Sequence, residues 1–203
     1  MSITGILLAA GRGRRFDPAG ERNKLLENVG GVPVAVASAQ AVLAVLSRVV
    51  AVVGADDDGL AEALRAVGCD VVVAPNAGDG MAASLVHAIR HSLPAADAWL
   101  IALADMPRVA PSTIAALCAA IDAGASIAAP VLGGRRGNPV AFSSLHLPAL
   151  LALEGDQGAR AIIRDNPWSA VPVDDDGIFH DIDTPSDLLK TGTLPVSGQA
   201  ERS

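Results

Sequence analysis

Short apolar runs alternate with alanine-rich segments along most of this chain, and this alternation restricts the possible folds more than any other feature. The apolar runs are continuous, which is typical of strands covered on both faces. They lie at 3–10, 48–55, 69–75, 98–105 and 126–132. The segments between them have the length and composition of helices, and they lie at 33–46, 57–67, 80–93 and 111–124. Such alternation forms βαβ units, so we expect a mainly parallel sheet with helices on both faces.

The regular alternation weakens after this point. Residues 133–143 predict a turn that enters a strand, and residues 145–166 predict two helical pieces broken at Gly155. Residues 169–189 predict two short strands around a turn, followed by a final helix.

The length and composition of the chain exclude several classes of protein. A chain of 203 residues is long enough for one domain with a full core, which we place at 1–190 before a polar tail, 191–203, that we expect to be disordered. The formal net charge of -7 argues against general nucleic-acid binding, because such binding needs a basic face. Cys69 and Cys118 form neither a disulfide framework nor a metal-ligand spacing, which fits a reducing cytoplasm.

The apolar stretch 33–55 is long enough to raise the question of a membrane span. It contains Gln40, Ser47 and Arg48, and its character changes halfway from alanine-rich to β-branched. A buried helix followed by a buried strand explains both features, so we expect no membrane partner.

Positive charge is concentrated in one glycine-rich stretch, LLAAGRGRRFDPAGERNKLL at residues 7–26. Its cations are Arg12, Arg14, Arg15, Arg22 and Lys24. The P-loop pattern is absent, and the dinucleotide fingerprint G-x-G-x-x-G fails because Phe16 stands where the third glycine belongs. What remains is a strand that opens into a loop of backbone N–H groups and cations, which suits a triphosphate. The alternative is a solvated basic loop without a ligand.

Five motifs follow one another along the chain: LLAAGRGRRF with NKLL, GMAASL at 80–85, LADMP at 103–107, RGNPVAF at 136–142 with GDQGAR at 155–160, and DIDTPSDL at 181–188. In order and spacing they resemble the nucleotidyltransferases typified by the molybdenum cofactor cytidylyltransferases and guanylyltransferases. The match covers about residues 3–190. It implies a single three-layer α/β/α domain, Rossmann-like and of the nucleotide-diphospho-sugar-transferase type, with both substrates at the C-terminal edge of the sheet. DPAGER at 17–22 departs from the family pattern by lengthening the loop.

Nucleotidyl transfer requires positioning, charge neutralisation and a metal on the phosphates rather than a protein nucleophile. Asp105 ends an apolar strand, so its carboxylate is a candidate metal ligand, or alternatively it caps the next turn. The resemblance implies that Asp183 is the second ligand and that the metal is Mg²⁺, with Mn²⁺ as an alternative. Asp183 is also placed to cap the final helix. Asp181 lies on the same face of an extended segment and is expected to support Asp183 or to orient His180.

The resemblance also implies which residues surround the nucleotide. Arg12, Lys24 and Asp105 are the catalytic residues, while the lengthened loop leaves the separate roles of Arg14, Arg15 and Arg22 open. The nucleotide-binding residues that it implies are Leu8, Ala9, Ala10, Gly11, Gly13, Arg14, Lys24, Gly80, Met81, Ser84 and Asp105. Relatives that use GTP tend to have glycine where Ala10 stands, so the sequence resembles the cytidylyl branch. Ser84 is alternatively a helix residue that faces a neighbouring element.

The acceptor is expected at RGNP and GDQGAR. The residues implied there are Arg136, Gly137, Asn138, Pro139, Asp156 and Arg160. The two arginines suit a phosphate monoester, and surface salt bridges are the alternative. The acidic runs Asp56–Asp58 and Asp174–Asp176 lie at predicted turns outside the motifs, and we expect them to be solvated.

The function implied is a Mg²⁺-dependent, cytoplasmic cytidylyltransferase that moves CMP from CTP to the terminal phosphate of molybdenum-bound molybdopterin and releases pyrophosphate. The implied partners are this phosphate-bearing pterin and a molybdoenzyme or its maturation chaperone. Two alternatives stay open. One is the same reaction with GTP or with a sugar or alditol phosphate as acceptor, and the other is a non-catalytic carrier of the finished cofactor. The combination of Lys24, Asp105 and Asp183 argues against a carrier.

Overall fold

In the computed structural model, the continuous apolar runs form the strands of one sheet. The structure describes residues 1–11, 13, 15–19, 22–74, 80–155 and 158–191. Its strands in chain order are β1 (Ile3–Leu8), β2 (Asn28–Val29), β3 (Val32–Pro33), β4 (Val49–Gly54), β5 (Asp70–Ala74), β6 (Ala98–Leu103), β7 (Ile127–Leu132), β8 (Arg135–Arg136), β9 (Val140–Ser143) and β10 (Ser169–Pro172). β2 and β3 form a separate antiparallel pair, and the other strands form the sheet.

The strand order in the sheet is β10-β7-β9-β6-β1-β4-β5, with β8 paired to the end of β7. β1 is parallel to β4 and β6, β4 is parallel to β5, and β7 is parallel to β10. β9 is antiparallel to β6 and β7, so the parallel strands on both sides of it end at one common edge, the C-terminal edge. The mainly parallel sheet is confirmed, while the antiparallel β9 was not indicated by the alternation.

Helices cover both faces of the sheet, which confirms the three layers. In chain order they are α1 (Val34–Leu43), α2 (Asp58–Ala66), α3 (Met81–Ser92), α4 (Pro111–Asp122), α5 (Leu147–Leu151), α6 (Arg160–Asp165) and α7 (Pro185–Thr191). Helices α1, α2 and α4 share one hydrophobic cluster with the sheet, and α3, α5 and α6 share another on the opposite face.

Strand β4 shows why these runs are continuously apolar. Val49, Ala51 and Val53 belong to the cluster on one face of the sheet, and Val50 and Val52 belong to the cluster on the other. Neighbouring residues of a strand point to opposite faces, so a strand between two helical layers buries every side chain.

The segment after β10 forms a 3₁₀ helix at Asp176–Phe179 instead of the second short strand that the sequence predicted. Asp175 is buried, and its carboxylate accepts hydrogen bonds from the N–H groups of Ala110 (2.9 Å) and Gly177 (2.9 Å) and the hydroxyl of Thr113 (2.6 Å). These bonds hold the chain in a turn against the start of α4, and this turn takes the place of the second strand. The prediction of a solvated acidic run is therefore wrong for Asp175.

The apolar stretch 33–55 folds as α1 followed by β4, as predicted. Arg48 lies in the turn between them and donates hydrogen bonds to the Ser92 carbonyl oxygen (3.1 Å) and to Asp70 Oδ2 (3.3 Å). In the described part of the chain, no helix has both the length and the apolar character that crossing a membrane requires.

Candidate active site

Lys24 is buried at the C-terminal edge of the sheet, with 8% of the residue exposed. Its ammonium Nζ donates hydrogen bonds to Asp105 Oδ2 (2.6 Å), the Ile182 carbonyl oxygen (2.9 Å) and Asp183 Oδ1 (3.4 Å). Lysine is almost never buried without partners, because removing its charge from water is costly. One ammonium thus joins the loop after β1 to the end of β6 and to the segment before α7.

Asp105 follows β6, where the sequence predicted that its carboxylate would leave the sheet. Its carboxylate is turned to Lys24, and its carbonyl oxygen accepts a hydrogen bond from the Ile182 N–H (2.9 Å). The backbone bond holds the segment before α7 against the end of β6. Asp105 therefore contributes both a charge and an anchor for the next site segment.

The Asp183 side chain makes no capping hydrogen bond to α7 among the described contacts, while Asp187 in the first turn of this helix binds back to the segment before it. The Asp187 carboxylate accepts from the N–H groups of Asp183 (3.3 Å) and Thr184 (2.8 Å) and from the Thr184 hydroxyl (2.7 Å). The Asp183 carboxylate instead lies between two cations, with Oδ1 near Lys24 and Oδ2 2.7 Å from Arg15 Nη1. The Arg15 side chain is 81% exposed, so the contact with Arg15 is the weaker of the two in water.

Asp181 lies close enough to Asp105 and Asp183 for their charges to change its pKa. Desolvation raises the pKa of Asp181, and the negative charges of Asp183 and Asp105 raise it further. The expectation that Asp181 orients His180 has no support in the described contacts, since His180 Nδ1 lies 3.8 Å from Asp176 Oδ2.

The donors of this cluster fit a hard divalent cation such as Mg²⁺ or Mn²⁺. Carboxylate oxygens of Asp105 and Asp183 converge on one cationic group, the Lys24 ammonium. Within the described ranges, no group of three or more His, Cys, Asp or Glu side chains is arranged to hold a metal. Two carboxylates completed by phosphate oxygens and water are the usual surroundings of protein-bound Mg²⁺, so these two side chains are enough protein ligands for such an ion.

The loop after β1 contains the backbone that the resemblance assigns to the nucleotide. The Leu8 carbonyl oxygen and the Ala9 N–H are already paired with neighbouring segments, at 3.0 and 2.9 Å. Of residues 8–11, Gly11 is the one exposed to solvent, and Ala10 is half-buried.

Gly13 turns this loop over Lys24. Its φ is +55°, and a Cβ at this position would lie 3.5 Å from Lys24 Cγ. The Gly13 carbonyl oxygen accepts hydrogen bonds from the N–H groups of Phe16 (2.8 Å) and Asp17 (3.2 Å). Phe16 is buried in the core, so it anchors the loop where a dinucleotide-binding protein would have its third glycine.

Gly80, Met81 and Ser84 lie at the start of α3. Gly80 has φ of +104° and Met81 is exposed, whereas Ser84 is buried. Burial of Ser84 favours the interpretation that it faces a neighbouring element. The GDQGAR segment contacts the same helix end, since the Ala82 N–H donates to the Gly155 carbonyl oxygen (3.1 Å).

Residues 136–139 lie at the C-terminal edge, where β9 begins. The Asn138 N–H donates to the Ile178 carbonyl oxygen (3.1 Å), and a Cβ at Gly137 would lie 2.6 Å from that oxygen. Only glycine therefore fits at this position without a shift of the backbone. Pro139 is buried beside the start of the strand.

Arg136 and Arg160 are both exposed. The Arg136 guanidinium lies 6.0 Å from the centre of the Trp168 ring. In the described part of the chain neither arginine has a carboxylate partner, so the surface salt bridges considered for them are not found there.

Of the other residues implied by the resemblance, Arg12, Arg14 and Asp156 lie outside the described residues, as does the expected tail from residue 192 onward.

The sequence did not indicate a contact beside Lys24. Asn23 Nδ2 donates a hydrogen bond to Asp57 Oδ1 (3.0 Å), so the prediction of a solvated acidic run is also wrong for Asp57. The sequence feature that could have suggested this contact is that Asn23 directly precedes Lys24.

This chain is similar to several known proteins over most of its length. The nicotine blue oxidoreductase of Paenarthrobacter nicotinovorans is 28% identical over 201 residues, 93% of this chain and 95% of the relative. The crystal structure of Rv0371c from Mycobacterium tuberculosis is 28% identical with a TM-score of 0.77, over 95% of this chain and 98% of that one. Its manganese complex is 26% identical with a TM-score of 0.75, over 96% and 100%. A nucleotidyl transferase from Methanothermobacter thermautotrophicus shares the fold, with a TM-score of 0.79 and 24% identity over 93% and 95%.

A model of the MobA-like NTP transferase domain matches residues 5–171. The match begins in β1, includes Lys24 and Asp105, and ends in β10 before Asp183. Because it covers most of the chain, this protein belongs to the family of MobA-like NTP transferase domains, nucleotidyltransferases whose substrate is a nucleoside triphosphate.

Proposed function

We propose that this protein transfers CMP from CTP to the terminal phosphate of molybdenum-bound molybdopterin and releases pyrophosphate. The observation that carries the proposal is the cluster of Lys24, Asp105 and Asp183 at the C-terminal edge of the sheet. An ammonium group and a pair of carboxylates are the groups that neutralise a triphosphate, directly and through a divalent metal.

Asp105 and Asp183 would hold the metal, which we propose to be Mg²⁺ with Mn²⁺ as a substitute. The manganese complex of the M. tuberculosis protein supports a divalent metal at this fold. When bound, such a metal neutralises part of the phosphate charge and orients the phosphates.

The protein's own groups position the reactants and stabilise the leaving group. An oxygen of the acceptor phosphate attacks the α-phosphorus in line, the bond from this phosphorus to the bridging oxygen breaks, and pyrophosphate leaves. Lys24 and Arg12 stabilise the negative charge on the departing pyrophosphate. Gly11, Gly13 and Arg14 hold the phosphates, and no protein nucleophile is required.

Base and acceptor are recognised on either side of this cluster. Leu8, Ala9, Ala10, Gly80, Met81 and Ser84 are the residues that we propose for the base. The methyl group of Ala10 crowds a purine more than a pyrimidine, which favours CTP.

Gly137, Asn138 and Pro139 shape the acceptor site, and Asp156, Arg136 and Arg160 bind its polar groups. Exposed guanidinium groups without carboxylate partners are suited to a phosphate monoester.

The oxidoreductase activity in the name of the P. nicotinovorans relative is less suited to the loop of this chain. The glycine-rich loop has the buried Phe16 where a dinucleotide-binding loop needs its third glycine. We place the reaction in the cytoplasm, with delivery of the product to a molybdoenzyme or its maturation chaperone.

Pyrophosphate release tests the function. The protein is incubated with each of the four NTPs, with Mg²⁺ or Mn²⁺, and with molybdenum-bound molybdopterin, a sugar phosphate or an alditol phosphate. We expect release with CTP and the pterin. Preference for GTP or for another acceptor would replace the proposal by the corresponding alternative, and no release under any condition would indicate a carrier.

A further inference from the structure

Asn23 uses both ends of its side-chain amide to connect two loops at the C-terminal edge. Its Nδ2 donates to Asp57 Oδ1 (3.0 Å) in the loop between β4 and α2. Its Oδ1 accepts a hydrogen bond from the Leu25 N–H (3.0 Å), two residues along its own loop. The amide therefore spans the backbone of Lys24 and ties it to the end of β4.

The Asp57 side chain binds Asn23 instead of capping α2. It precedes the first residue of α2, where aspartate commonly accepts a hydrogen bond from the helix backbone, yet its side chain makes no such bond. Oδ1 accepts from Asn23, and Oδ2 lies over Gly54, where a Cβ would come within 3.0 Å of it. Gly54 is the last residue of β4, so the carboxylate is seated against the sheet edge.

The backbone around Lys24 is held on its other side as well. The Leu25 carbonyl oxygen accepts a hydrogen bond from the Ala35 N–H (3.0 Å) in α1. Lys24 thus extends from a short segment with one end tied through Asn23 to Asp57 and the other tied to a helix. Such support determines where a long and otherwise flexible side chain places its charge.

We propose that Asn23 and Asp57 are positioning residues that direct the Lys24 ammonium toward the phosphates of the bound nucleotide. This inference rests on the proposed function only in that a nucleoside triphosphate binds at Lys24, whichever base it carries. Asn23 and Asp57 act through Lys24 and have no contact with the reacting atoms in this scheme.

An exchange of the two side chains tests the pairing. Asn23→Asp sets two carboxylates against each other and should lower kcat/KM about tenfold or more. Adding Asp57→Asn restores one amide and one carboxylate with the net charge of the wild type, so we expect recovery to within about threefold. Asp58→Asn is the matched control for Asp57→Asn, because it removes the same negative charge one residue further along the chain. We expect the activity of Asp58→Asn to stay near that of the wild type.

A second measurement separates positioning from a structural role. We expect Asn23→Asp to weaken NTP binding while binding of the matching NMP stays the same, and to have no further effect in a Lys24→Ala background. All assays use the NTP and acceptor that give the fastest pyrophosphate release with wild type. An incorrect choice of CTP therefore leaves this test intact.

Asn23→Ala removes both contacts without adding charge, and it replaces Asn23→Asp in these assays if that variant does not fold. The proposal is overturned if a folded Asn23 variant binds NTP as wild type does. It is equally overturned if the exchange fails to recover activity in a protein of unchanged thermal stability, or if Asn23 and Lys24 substitutions have additive effects.

Discussion

The two edges of the sheet each bury an ionisable side chain, but only one edge supplies partners for it. At the C-terminal edge Lys24 is surrounded by three oxygen atoms. At the opposite edge, just after β9 ends, His146 is 7% exposed and its Nε2 has no hydrogen-bond partner among the described residues. Burial lowers the pKa of His146, which keeps the ring uncharged to lower pH.

The difference teaches how burial of a polar group relates to function. A buried charge that is matched by opposite charges is available for chemistry when a ligand rearranges the contacts. A buried group without a partner remains neutral, and its main consequence is a dependence of stability on pH. Substitutions at the C-terminal edge should therefore change activity, and substitutions at the opposite edge should change stability.

The largest effect is expected for Asp105→Asn. The substitution preserves the shape of the side chain and removes one carboxylate from the metal and from Lys24, so turnover should fall ~10²-fold or more. Steady-state pyrophosphate release measures the loss, and thermal unfolding checks that the fold is retained. Wild-type kinetics in a folded variant would exclude Asp105 from the site.

Lys24→Met should separate binding of the nucleotide from binding of the metal. Loss of the ammonium weakens binding of the NTP, but it also removes the cation that occupies the space between Asp105 and Asp183. We therefore expect Mn²⁺ to bind the nucleotide-free protein about tenfold more tightly than it binds the wild type. Titration followed by electron paramagnetic resonance measures this affinity.

Arg15→Met is the control for the metal titration, because Arg15 contacts Asp183 from an exposed position and should change the affinity less. Equal Mn²⁺ affinities for wild type and Lys24→Met would show that the ammonium does not compete with the metal.

Ala10→Gly should shift the choice of base while turnover is retained. Removing one methyl group beside the base should raise kcat/KM for GTP relative to CTP, and one such group is worth ~1–3 kcal/mol of discrimination. The measurement is the ratio of the two values of kcat/KM in wild type and variant. A ratio that does not change on substitution would move base selection to the start of α3.

The smallest effect is expected at the opposite edge, for His146→Leu. The pKa of His146 is lowered in the folded protein, so the unfolded chain binds the proton more readily. The free energy of unfolding should therefore fall as the pH drops below the ordinary histidine value of about 6.5, and this fall should be smaller in the variant. Denaturant unfolding at several pH values measures it. A change of NTP turnover at neutral pH would contradict the division between the two edges.

Features that depend on neighbouring residues in the chain were predicted from the sequence. The apolar runs predicted the parallel strands because a strand between two helical layers must be apolar throughout. The position of Asp105 at the end of such a run predicted its place at the C-terminal edge, since parallel strands end together there. The resemblance of NKLL and DIDTPSDL to the family motifs also indicated Lys24 and Asp183, which the structure brings together.

Features that depend on partners distant in sequence were decided by the tertiary structure. The two acidic runs look alike in sequence, yet Asp175 binds the start of α4 while Asp57 binds Asn23. Asp183 precedes α7 as a cap would, yet its carboxylate contacts Lys24 and Arg15, more than 150 residues earlier. A pattern of residue types specifies which side chains need a partner, but only the packing of the whole chain supplies that partner.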